Sequence, residues 1–346
     1  MEPPDDPHLP ETVAVNPQLR VVDSRYDAAL FKACAAYPDI DLVKLLISQG
    51  ANVNATDDEE KSPLHVAAGN LLAQDTELIS LLVDAGADVN AERDCGDTPL
   101  FEAIRQVSEF DSELAVKFLL DKGAHVNVHG NLAQTPLHVA VEYSSEDTPY
   151  VIDLLLEHGA DINARDAFGR TALHEAVSGN HSTCVSDLIR LGANVNAQDD
   201  EGNAPIHLIH GKNFLDWPED TFDELMRGMP NVNLRNNAGE APIHIIIALL
   251  SVSTSVAIGM IERLCNAGAD ASVSDANGDT AAHLLAHVDE DFMITQYEIT
   301  EEDLADLLSV LTRSGADLLA KNNDGKTPAD IALECGNKVM YGQLVG

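Results

Sequence analysis

One segment recurs along this chain, and that repetition restricts it to folds whose units stack on copies of themselves. SPLHVAAGN (62–70), TPLFEAI (98–104), TPLHVAV (135–141), TALHEAV (171–177), APIHLIH (204–210), APIHIII (241–247), TAAHLLA (280–286) and TPADIAL (327–333) are variants of one motif. A second motif alternates with it: LLISQGANVNA (45–55), LLVDAGADVNA (81–91), LLDKGAHVNV (119–128), LLEHGADINA (155–164) and LIRLGANVNA (188–197). Its weaker copies are LMRGMPNVNL (225–234), LCNAGADASV (264–273) and LTRSGADLLA (311–320).

Each motif has a mechanical reading. Thr98, Thr135 and Thr171 stand where an N-cap accepts a hydrogen bond from a first-turn amide, and a following Pro lacks the amide that would be orphaned there. Leu and Ala three and four positions on give a short helix one apolar face. The Leu-Leu pair is the buried stripe of a second helix, which the next Gly stops with positive φ. Polar segments such as ARDAFGRT (164–171) then reverse the chain, so a unit reads helix, turn, helix, hairpin.

These motifs resemble the ankyrin repeat, whose signature T-P-L-H-x-A recurs at 33 residues. The resemblance covers about residues 24–340 and implies an all-α solenoid of about eight full units plus a C-terminal partial one. It also implies that His65, His138, His174, His207, His244 and His283 are structural, bonding the Thr and backbone groups near the hairpin. An active site is used once, so a residue type that returns six times at one slot is a poor catalytic candidate. The atypical first unit (AALFKACA, 28–35) and the last, with Asp330 in the His slot, read as solvent-facing caps.

The helix-stopping glycines are read as Gly50, Gly86, Gly123, Gly159, Gly192, Gly228, Gly268 and Gly315, and only the step to Gly192 keeps the family period. The extra residues lie between the two helices of a unit. The longest insertion, 288–300, contains Phe292 and Tyr297 within HVDEDFMITQYEITEED, and Thr300 with Asp303 restarts the helix after it. The sixth unit carries the only Trp, Trp217, beside Phe214. Residues 1–23, with Pro3, Pro4, Pro7 and Pro10, have no basic region and no apolar core; they read as a flexible acidic arm rather than a signal peptide, ahead of one array over 24–346.

Twenty basic against 58 acidic residues give a net charge of −38, a field that repels nucleic-acid phosphates and anionic membranes and favours a basic protein partner. Five widely spaced cysteines without CxxC fit a reducing, intracellular compartment, cytoplasmic or nuclear. Neither a P-loop, nor G-x-S-x-G, nor G-x-G-x-x-G occurs, and no cofactor is expected. HLLAHVDED (283–291) has the spacing of two ligands on one helix face followed by carboxylates, yet His283 falls in the repeat slot, so no metal site is assigned.

The resemblance places partner binding on a concave surface of hairpin tips and first helices. By position that surface is Asp58, Glu59, Asp94, Asp97, Asn131, Leu132, Phe168, Arg170, Asp200, Glu201, Asn237 and Glu240, with Phe292 and Tyr297 as docking residues of the insertion. The expected function is a non-enzymatic, monomeric interaction module or adaptor for a basic or extended protein segment with an apolar anchor opposite Leu132 and Phe168. Two rivals remain at this level: an enzyme-associated or metal-binding protein using 283–300, and an acidic mimic of nucleic acid. The family likeness also implies hydroxylation at hairpin asparagines such as Asn90, Asn163 and Asn196.

Overall fold

The computed structural model describes residues 24–35, 38–70, 76–106, 113–144, 148–209, 219–251, 254–287 and 300–345. Phe214, Trp217, Phe292, Tyr297, the arm 1–23 and insertion residues 288–299 lie outside them. Among the described residues, seventeen α-helices and a 3-10 turn at Pro205–Leu208 form nine helix pairs. First helices are α1 (Ser24–Cys34), α3 (Pro63–Ala68), α5 (Pro99–Arg105), α7 (Pro136–Glu142), α9 (Ala172–Ser178), the 3-10 turn, α12 (Pro242–Ala248), α14 (Ala281–Ala286) and α16 (Pro328–Cys335). Their partners are α2 (Ile40–Ser48), α4 (Glu77–Asp84), α6 (Glu113–Asp121), α8 (Thr148–Glu157), α10 (Ser182–Arg190), α11 (Glu219–Arg227), α13 (Thr254–Asn266), α15 (Glu301–Arg313) and α17 (Lys338–Val345).

Helices of six to thirteen residues are marginal alone, so their stability comes from stacking. Two aliphatic columns do this. Leu64, Leu100, Leu137, Leu173, Ile206 and Ile243 line up from the first helices, and Leu82, Leu119, Leu155, Leu188, Leu225, Leu264 and Leu311 from the second, all essentially without solvent contact.

Between the columns and the hairpins runs a line of buried imidazoles. In the fifth unit His174 Nδ1 receives the Thr171 amide at 3.0 Å and lies 2.9 Å from the Thr171 hydroxyl. Its Nε2 lies 3.0 Å from the carbonyl of Asn203 in the next unit. An Nδ1 that accepts an amide is unprotonated, so Nε2 carries the proton and donates it. His65, His138 and His283 repeat this, reaching the carbonyls of Asp97, Arg170 and Lys326 at 3.1, 3.0 and 3.1 Å. His207 and His244 follow Ala204 and Ala241, keep the amide bond at 3.1 Å, and reach Glu240 and Val273. At Thr135, Thr171 and Thr280 the hydroxyl also lies 2.8–2.9 Å from the imidazole, so Thr and His together close a capping box on the first turn. Thr98 makes no side-chain cap at all, because its unit has Phe101 in the imidazole slot.

A second ladder ties the hairpin bases. Asn54 Oδ1 accepts the Asp88 amide at 2.8 Å while its Nδ2 donates to the Gly86 carbonyl at 2.9 Å. Asn90, Asn127 and Asn233 bridge their next units in the same two-handed way.

The sixth unit corrects the sequence register. Seven second helices stop at a glycine with φ between 89° and 98°, Gly192 among them. In the sixth unit Gly228 is not left-handed; Met229 is, at φ 52°. Met229 stands four residues after the buried Leu225, as Gly192 stands four after Leu188, and its amide makes the same bond three residues back. The next residue, Ala193, closes its helix with a bond to Leu188, whereas the equivalent Pro230 has no amide to give. Chance placement of Gly228 beside the slot caused the misreading. The unit's first helix is also reduced to one 3-10 turn.

Two outcomes follow. Met229 is 84% exposed, so its side chain contributes little packing, while its backbone bears the left-handed penalty. Met229→Gly is expected to stabilise the protein by about 1 kcal/mol, read as a raised urea midpoint; an unchanged or lowered midpoint would contradict this account. Burial lowers the pKa of His65, His138, His174, His207 and His244 below 6.5, the backbone carbonyl opposing it in each. A depressed folded pKa means stability is full above the unfolded value of about 6.5 and is lost as pH falls from there through the folded values. Calorimetry at pH 6 in buffers of different ionisation enthalpy should show several protons taken up on unfolding; zero uptake would refute the neutral ladder.

Candidate functional site

Most hairpin tips are shaped by one Asp or Asn side chain, the third and fourth opening instead on Arg93 and Gly130. Asp166 Oδ1 accepts the amides of Phe168 and Arg170, both at 2.8 Å, and Asp199 and Asn236 do the same in the next two units. These Asx turns fix the tips so that they bond one to the next: Ala167 amide to Leu132 carbonyl at 2.8 Å, Asp200 to Phe168 at 3.0 Å, Asn237 to Glu201 at 2.9 Å. The ridge therefore sets Leu132, Phe168, Glu201 and Asn237 in sequence along adjoining units.

Leu132 is the strained member. It sits at φ 51°, followed by Ala133 at φ 55°, where the other tips place one left-handed residue. A γ-branched side chain in that region is held by its surroundings, and here the strained turn leaves Leu132 52% exposed next to Phe168, 53% exposed. The Arg170 guanidinium lies over the Phe168 ring, 5.9 Å from its centre.

Behind the ridge, Arg170, Asp200, Glu201, Asn237 and Glu240 line one cleft of about 510 Å³. Three carboxylates and one cation are thus among its lining side chains. Arg170 Nε stands 3.8 Å from Asp199 Oδ2, and it is buried without a hydrogen-bond partner among the described residues. Asn236 donates to Glu240 Oε2 at 2.8 Å, and Arg165 donates to Asp200 Oδ1 at 3.0 Å. Asn236 is a lining residue that the sequence reading does not single out; its signal is the Asp or Asn that opens most of the hairpins.

Asp58, Glu59 and Asp94 are exposed on the tips of the second and third units, away from the cleft. Glu60, also missed, occupies the glycine slot of its tip at φ 56°, and the neighbouring Asp94 carboxylate raises the Glu60 pKa. Asn131 is exposed on the fourth tip.

Asp97 does not belong to the surface. It is 3% exposed; Oδ2 accepts from Arg105 Nη2 at 2.7 Å and Oδ1 from the Asn131 amide at 3.1 Å. The reason is Phe101. A ring without nitrogen cannot reach the next hairpin, so the Asp97 carboxylate makes that tie instead. Gly130 leaves room for both: a Cβ there would stand 2.2 Å from Asp97 Oδ1 and 3.0 Å from Phe101 Cζ. Arg105 covers the Phe101 face at 5.9 Å.

His283, the first residue of HLLAHVDED, belongs to the imidazole ladder, while His287 stands one turn on at the end of α14. Among the described residues no group of three His, Cys, Asp or Glu side chains is placed to hold a metal ion. No helix among them is long and apolar enough to cross a membrane.

The family model for ankyrin repeats in three copies matches residues 30–130 and 107–199. No curated protein matches the chain. Past residue 199, His207, His244 and His283 carry the inter-unit bonds of the matched part.

Asp97 and Asp94 offer a direct comparison. Asp97→Ala would leave Arg105 and the Asn131 amide without their acceptor, a loss of about 2–3 kcal/mol. Asp94→Ala should stay within about 0.5 kcal/mol of wild type. Equal midpoints for the two variants in urea denaturation would sink the assignment of Asp97 as scaffold.

Proposed function

We propose that this chain, an ankyrin-repeat protein, is a non-enzymatic interaction module that binds a basic, extended protein segment along the hairpin ridge and in the cleft of the fifth to seventh units. Ankyrin repeats are generally protein–protein interaction modules. The observation that carries the finer reading is the cleft itself, whose wall holds Asp200 (paired with Arg165), Glu201, Glu240 and Arg170, beside the exposed pair Leu132 and Phe168. An apolar anchor supplies contact area, and the carboxylates supply direction and selectivity for Lys or Arg. A solenoid surface of this kind takes an extended segment, because equivalent positions return at every unit.

The acidity elsewhere supports the same partner. Asp58, Glu59 and Asp94 present a second group of carboxylates one and two units before Leu132. A long basic segment would meet charge on both sides of the apolar pair. The exposed, unstrained acids add mainly to the rate of encounter, while those in the cleft hold the bound segment.

Selection of a random dodecapeptide library on the full chain tests this reading. Enriched peptides should carry several Lys or Arg and one large apolar residue, and their affinity should fall steeply between 50 and 300 mM salt. Glu201→Gln with Glu240→Gln should weaken them by about tenfold, and Phe168→Ala by a similar factor without changing the salt dependence. Peptides without a basic excess, or with salt-insensitive binding, would overturn the proposal.

A further inference from the structure

The C-terminal units bring together a nucleophile and a base that neither ladder uses. Cys335, the last residue of α16, is exposed, and its Sγ lies 3.6 Å from Nδ1 of His287, the exposed residue that caps α14. The two are 48 positions apart and come from neighbouring units, so the stacking of the array makes the contact. His287 opens on a cleft of about 240 Å³ with Asp279, Asp324, Lys326 and Glu334 in its wall. That wall carries both signs of charge.

The other four cysteines lack this setting. Cys34 and Cys184 are fully buried, and burial pushes their thiols up to about 12 and about 11. Burial also raises Cys265. Cys95 lies half-buried in the tip Arg93–Asp97, between carboxylate-bearing neighbours in sequence, with no imidazole contact among the described residues.

We propose that Cys335 with His287 is a thiol-modification site, which takes a small zwitterionic disulfide into the cleft between the last two units. His287 Nδ1 accepts the thiol proton. The Cys335 thiolate attacks one sulfur of the disulfide, the S–S bond breaks, and a mixed disulfide forms on Cys335. The departing thiolate takes the proton back from His287, so one small thiol is released. Cys335 is oxidised and half of the disulfide is reduced. Lys326, paired with Glu334 in the same wall, is shared with the carboxylates of the adduct, and Asp279 and Asp324 face its ammonium group.

Oxidised glutathione is the probe, used on the full native chain, with each cysteine followed by peptide mass spectrometry. Cys335 should be modified about tenfold faster than Cys95, and His287→Gln should slow Cys335 about fivefold while leaving Cys95 unchanged. The wild-type protein gives a second, variant-free measure: native Cys335 should react faster than Cys335 in urea-unfolded chain, where exposure is greatest and the imidazole is gone. Native Cys335 that reacts no faster than Cys95, or no faster than in the unfolded chain, overturns the proposal. So does a folded His287→Gln protein with an unchanged rate.

Discussion

Everything in this structure hangs on one short link, the buried imidazole that joins a first helix to the hairpin of the next unit. Helices of six or seven residues bury too little apart from one another to persist. The ring solves two problems at once. Its Nδ1 satisfies the amide at the helix start, and its Nε2 ties down a carbonyl of the following hairpin. Desolvation keeps the ring neutral, and neutrality is what lets one nitrogen accept while the other donates. The asparagine ladder does the same work at the hairpin base, with both ends of one amide side chain.

Where the link is missing, the structure shows what replaces it. In the third unit an apolar ring fills the slot, and three changes accompany it: Asp97 turns inward, Arg105 neutralises it, and residue 130 becomes glycine to admit both. The sixth unit keeps its imidazole but loses the hydroxyl, the stop glycine and the closing amide. There His207 divides its bond between Leu234 and Glu240, each at 3.2 Å. The main cleft lies over this unit, with His207 in its wall. The cleft and a less regular stretch of scaffold thus share one place.

The repeat makes the fold readable, since most units state the same helix starts and stops. The site was readable only in part. Arg170, Asp200, Glu201, Asn237 and Glu240 were placed by position and do line one cleft. Asp97 is misplaced in the sequence reading because nothing in its residue type shows that its carboxylate turns inward to make the tie that Phe101 cannot, a tertiary effect. Met229 was hidden by the glycine beside it; residue type suggested one slot and backbone geometry occupies the next. The left-handed pair at Leu132 and Ala133 breaks the local preference of both residues, so no propensity could have pointed to it. Asn236 and Glu60 belong to columns that only the superposed hairpins define.

The column that contains Asp97, Arg170, Asn203 and Glu240 explains how one scaffold can vary its surface without losing its fold. At each of these positions the carbonyl is held by the imidazole of the preceding unit, Phe101 excepted, while the side chain is left to its surroundings. Backbone and side chain thus answer to separate demands. The backbone must meet a ring nitrogen at about 3 Å, which any residue can do. The side chain can then be a buried acid, a guanidinium over an aromatic ring, or a cleft carboxylate. Charge and shape change from unit to unit along this column while the spacing of the units is unaffected. Specificity for a partner is free to reside there because stability already resides in the atoms behind it.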